Sequence, residues 1–201
     1  MRRLLPFAAP LTVAALLAAG CSDDDPNSTD DAPIVVTTSI LGAIVRDVVG
    51  DAVPVVVLVP NGTDPHEWRP APRDVEALGD ARLVVVNGLD LEEGLEDALD
   101  EVVADGIPVF AATDHVQLIE GGAHEDEDEH AGEEDEHGHG AEDPHVWMSP
   151  AAMADVAGAL TAELTALGVE VEESGAAAAA ALEELDAEFV DAHHTLLDVH
   201  L

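Results

Sequence analysis

Four short runs of Val and Ile constrain this chain more than any other feature. They are IVVTT (34–38), VPVVVLV (53–59), RLVVVNG (82–88) and IPVFAA (107–112). Each is continuously apolar rather than alternating, as a strand covered on both faces must be. Amphipathic stretches lie between them: SILGAIVRDVVG (39–50), PRDVEALGDA (72–81) and LDLEEGLEDALDEVVADG (89–106). Strands alternating with helices predict an α/β fold, a doubly wound four-stranded parallel sheet. In such sheets ligands sit beyond the carboxyl ends of the strands. The turn-rich loop PNGTDPHEWRPAP (60–72) leaves one of those ends.

The chain holds two tryptophans. Each closes the same five-residue pattern, DPHEW (64–68) and DPHVW (143–147). Proline fixes its own φ and turns the preceding Asp away from helix, so each histidine follows a stiff turn. An imidazole nitrogen suits zinc and related metals, and a nearby carboxylate can orient the ring. A flat Trp beside it can wall off water. One Asp-Pro-His turn alone is an ordinary surface feature. The repeat, using both tryptophans, points to a pair of ligands, His66 and His145.

Between the fourth strand and the second corner, residues 124–143 hold eleven acids and four histidines, His124, His130, His137 and His139. So little apolar surface cannot offset the entropy of ordering, and a disordered loop is expected over about 120–142. Interleaved imidazoles and carboxylates make it a candidate for auxiliary metal capture. A helix follows the second corner. A long helix over 174–201 carries Leu182, Leu185, Phe189 and Leu196 at helical spacing. His193 and His200 share one face of it and read as surface residues. His115 reads as structural or exposed.

Arg2 and Arg3, an apolar run to Ala19 and small residues before Cys21 have the layout of a secretory signal over 1–20. Its end is similar to a bacterial lipoprotein signal, in which Cys21 is lipidated. Residues 21–33 then read as a flexible tether, 34–149 as the α/β lobe and 150–201 as a helical segment. The net charge is −38, with 44 acids against 6 arginines and no lysine. Nucleic acids and phosphorylated ligands are repelled by such a surface, and cations are attracted. An HExxH helix, a phosphate-cradling glycine loop and a cysteine nucleophile are all missing from the sequence, which speaks against an enzyme.

Several segments together resemble the solute-binding lipoproteins of zinc and manganese ABC importers. They are VVTTSILGAIVRDVVGD (35–51), VPNGTDPHEWRPAPRDV (59–75), LVVVNGLDLEEGLEDAL (83–99), and the His- and acid-rich insertion followed by DPHVWMSP (143–150). The resemblance implies two α/β lobes joined by a long helix, with His66 and His145 as metal ligands facing the cleft. It implies an ABC permease as partner, a membrane lipid anchor through Cys21, and a place outside the cytoplasm on the cell membrane. The His-rich insertion favours Zn2+ over Mn2+ within that family. The family also has a second lobe, which supplies further ligands. Nothing past residue 190 resembles it, so the chain reads as truncated before that lobe, and two histidines alone would hold zinc weakly. A surface zinc buffer acting through the loop, or an adhesin-type lipoprotein, are the alternatives.

Overall fold

The computed structural model describes residues 32–118 and 142–198. The expected signal, Cys21 and the tether up to residue 31, residues 119–141 of the His-rich loop, and His200 lie outside these residues.

Four strands form one sheet: β1 (Ile34–Val36), β2 (Val55–Val57), β3 (Leu83–Val86) and β4 (Val109–Ala111). Their order is β2-β1-β3-β4, and every neighbouring pair is parallel. Every residue of β1 and β3 is buried, as continuous Val/Ile runs require. β2 departs from that expectation. It is an edge strand, its residues are only partly covered, and Val56 is 37% exposed.

Helices cover both faces. On one side α1 (Ser39–Val49), α4 (Pro150–Ala166) and α5 (Glu172–Asp198) bury Leu41, Val45, Val156, Leu160 and Leu164 against Ile34, Val36 and Val85. On the other side α2 (Pro72–Gly79) and α3 (Glu96–Ala104) bury Leu78, Ala98 and Val102 against Val35, Val84 and Val86. The fold is therefore a doubly wound α/β lobe. Fully burying each of these Val, Leu and Ile side chains stabilises it by about 1.5–3 kcal/mol.

Side chains fix the helix ends. The Thr38 hydroxyl accepts from the Leu41 N–H at 3.4 Å and opens α1, and Ser149 does the same for α4 through the Ala152 N–H at 3.2 Å. The Ser174 hydroxyl donates to the Val48 carbonyl at 2.5 Å and ties α5 to α1.

Two elements differ from their sequence reading. The stretch 89–106 is not one helix: a turn and a 3-10 segment (Glu93–Leu95) precede α3. α5 starts at Glu172, two residues earlier than expected, and among the described residues only its first half packs on the lobe. Ala178 is buried and Leu182 is partly covered, whereas Leu185 and Phe189 are 41% and 61% exposed.

The chain leaves β1 for β2 on one side and later places β3 on the other. The carboxyl ends of β1 and β3 therefore form the topological switch point, where doubly wound sheets place ligands.

Candidate metal centre

The first corner follows β2. Asp64 Oδ1 accepts the His66 backbone N–H at 3.0 Å across Pro65, an Asx turn. Arg69 then donates from Nη1 to the carbonyls of His66 and Trp68, at 3.2 and 3.0 Å. The loop returns to α2 through the Ala71 N–H, which donates to Asp74 Oδ2 at 2.8 Å. Beneath it lies Gly94, where a Cβ would overlap the Trp68 carbonyl and the Arg69 side chain. Only glycine lets the loop come this close.

The second corner repeats the first. Asp143 Oδ1 accepts the His145 backbone N–H at 2.9 Å across Pro144. The same oxygen lies 2.6 Å from His145 Nδ1. The backbone N–H of His145, and next its ring, hold the Asp143 carboxyl below its ordinary value. With Nδ1 engaged by a carboxylate, Nε2 is the ring nitrogen left to bind.

The tryptophans do not repeat each other. Trp147 meets the His145 ring edge-on, with centroids 5.1 Å apart, and packs on the face of the sheet covered by α1, α4 and α5. Trp68 packs into the opposite core cluster with Leu78 and Leu95. Trp147 also walls an open hollow with Thr38, Ile40, Val59 and Pro65, beside the corners.

The fold brings the two histidines together. Their ring centroids are 6.4 Å apart, tilted by 57°. A tetrahedral metal bound about 2.0–2.1 Å from one nitrogen of each ring would set the ring centres roughly 5–5.5 Å apart. The rings, 6.4 Å apart, would have to close by about 1 Å to share a tetrahedral ion. Among the described residues, no group of three or more His, Cys, Asp or Glu side chains converges as a metal cage. His115 lies apart, stacked on Phe110 at 4.4 Å. His193 and His194 sit on the exposed part of α5 with ring centroids 6.5 Å apart. His124, His130, His137 and His139 lie outside the described residues.

Sequence reasoning missed a buried polar cluster at the switch point. Glu92 Oε1 accepts from the Thr37 hydroxyl at 2.5 Å and from the Asn87 N–H at 2.8 Å, and Oε2 accepts from the Gly88 N–H at 3.4 Å. It joins the ends of β1 and β3. Burial raises its pKa, against the opposing pull of these hydrogen bonds. Asn87 Nδ2 donates to the Pro144 carbonyl at 2.9 Å, which connects the cluster to the second corner. The available signal was weak: an acid between Leu91 and Leu95 also fits the polar face of a helix.

With this geometry, comparison with known proteins is decisive. The model of the family "Zinc-uptake complex component A periplasmic" (ZnuA) matches residues 34–197. The chain belongs to this family. A manganese-binding lipoprotein, MntA of Halalkalibacterium halodurans, is 41% identical over 93 residues, 45% of this chain and 31% of that protein. The manganese ABC transporter substrate-binding lipoprotein PsaA of Streptococcus pneumoniae is 33% identical over 139 residues, 67% of this chain and 41% of that one. The crystal structure of a 138-173 ZnuA deletion mutant plus zinc bound superposes with a TM-score of 0.66 at 27% identity, covering 79% of this chain and 57% of that one. The chain spans less than half the length of these two lipoprotein relatives. Relatives of this ZnuA-family chain are named as substrate-binding components of transporters.

Proposed function

We propose that this chain captures a divalent transition metal, foremost zinc, outside the cytoplasm and delivers it to an ABC-type permease. His66 and His145 are its ligands through one ring nitrogen each. One observation carries the reading: two Asp-Pro-His turns of the same build converge their imidazoles to 6.4 Å beside the switch point. Imidazole suits zinc, whereas carboxylate and carbonyl oxygens suit manganese, and this pair offers nitrogen. Zinc-bound relatives of the fold support the same choice, while the manganese lipoproteins keep Mn2+ as a second cargo.

Two imidazoles leave two positions of a tetrahedral zinc for other donors. His124, His130, His137 and His139 act as auxiliary capture groups that raise the local metal concentration. Cys21 carries the lipid that holds the protein at the outer face of the membrane. No catalysis is involved; ligand exchange is the mechanism, and protons compete with metal for the imidazoles in acid.

A chelator-competition zinc titration of the full chain tests the reading. His66→Ala and His145→Ala should each weaken the tightest site by more than about tenfold, since even groups that only support a ligand are worth that much. Unchanged affinity in both variants would show that the corners are not the site.

A further inference from the structure

Asn87 directly follows β3 and is fully buried. Its side-chain nitrogen donates to two carbonyls, Gly88 at 3.1 Å and Pro144 at 2.9 Å. The Pro144 carbonyl belongs to the peptide that joins Pro144 to His145. This hydrogen bond therefore pins the backbone from which the imidazole hangs. Turning the amide over would aim its oxygen at two carbonyl oxygens, so its orientation is fixed.

That orientation has a cost. Asn87 Oδ1 is buried and has no hydrogen-bond partner among the described residues. An orphaned acceptor of this kind costs about 1–3 kcal/mol. An apolar side chain would fill the space without that penalty but could not hold the corner. The cluster around it serves the same end. Leu89 and Asp90 adopt positive φ of 52° and 56°, a conformation that non-glycine residues rarely take. That bend returns Glu92 to the end of β3, where its carboxylate takes the N–H groups of Asn87 and Gly88. Burial of Glu92, a carboxyl at 6% exposure, is itself unfavourable unless it is fully hydrogen-bonded.

We infer that Asn87, seated by Glu92, is a positioning residue for His145: it sets the place of the metal-binding imidazole through the Pro144 carbonyl. The inference rests on His145 being a ligand. The chain of contacts runs from Thr37 at the end of β1, through Glu92 and Asn87 at the end of β3, to the second corner. Both central strands of the sheet thereby brace one ligand, while His66 is braced separately by Arg69 and Gly94.

The test is a double-mutant cycle on Zn2+ affinity, measured by chelator competition on the full chain, with circular dichroism of each metal-free variant. Asn87→Ala should weaken zinc binding about tenfold in the parent and leave it unchanged in a His145→Ala background. Glu92→Gln keeps the size but turns an N–H toward groups that donate. It should show a smaller loss that also vanishes when His145 is gone, and it decides the matter if Asn87→Ala does not fold. Equal losses with and without His145, or no loss in the parent, overturn the positioning role while the ligand assignment stands. Unchanged affinity in His145→Ala alone removes the ligand assignment and the inference with it.

Discussion

Gly88→Ala probes the junction on which the candidate site is built. Gly88 has φ of 92°, which an L side chain rarely adopts, and its new Cβ would overlap Thr113 Oγ1 and come within 3.4 Å of the Ala111 Cβ. Thr113 cannot swing aside: it is 4% exposed and β-branched, and its backbone N–H is bonded to the Asn87 carbonyl at 3.0 Å. The positive φ costs about 1–2 kcal/mol and the overlap about 1–3 kcal/mol, for a total of roughly 2–5 kcal/mol. Urea unfolding of the metal-free chain, followed by circular dichroism, measures the sum. In a Thr113→Ala background the overlap disappears and only the backbone part, about 1–2 kcal/mol, should remain. A loss below about 1 kcal/mol in the parent would show that neither the positive φ nor the Thr113 contact constrains this position, and the same loss in both backgrounds would show that the Thr113 contact does not.

Three further outcomes follow from the same geometry. Gly94→Ala should lift the loop that carries His66, because its Cβ overlaps the Trp68 carbonyl; zinc titration should show weaker binding with α-helical content unchanged. Asp143→Asn removes the carboxylate that faces His145 Nδ1 at 2.6 Å and should weaken zinc binding about 10–100-fold, read by the same titration. Glu92 governs a pH effect. Its folded pKa is raised above 4.5 by burial, so the folded state holds this proton more tightly than the unfolded chain does. Its contribution to stability is then full below that value and declines as pH rises through the raised one. Glu92→Gln should lack this decline when urea unfolding of the two proteins is compared from pH 4.5 to neutrality, and parallel profiles would contradict the assignment.

The central strands were legible because burial on both faces leaves no alternation to misread, and Leu83–Val86 and Ile34–Val36 lie within the expected runs. Edge position is a property of topology, not of local composition. Val55–Val57 therefore looks as apolar as the centre yet is partly open to solvent. The expected single helix over 89–106 failed for a tertiary reason. Leu91 and Leu95 have helical spacing, but Glu92 turns inward to meet Asn87 and Gly88, and this holds Leu89 and Asp90 out of the helical region. The α5 stripe of Leu182, Leu185 and Phe189 is periodic throughout, although among the described residues packing partners exist for only its first part.

The candidate site was legible in outline because the Asp-Pro-His turn is a local device, made by residues two apart, and both copies form it. That the two rings would lie 6.4 Å apart was not local information; the sheet order decides it. The same holds for Asn87, which reaches Pro144 across 57 residues of sequence. The two tryptophans mark the limit of pattern reading. They occupy equivalent places in the motif, yet Trp147 touches its histidine while Trp68 packs into the opposite core cluster.

The most direct measurement is a long-range proton–nitrogen correlation spectrum of the histidine rings in the 15N-labelled full chain, recorded as zinc is added. One ring nitrogen of His66 and one of His145 should shift together, complete at one equivalent, with Nε2 the responding atom of His145. If zinc saturates the chain while these two rings remain in their metal-free positions, the paired corners do not form a metal site.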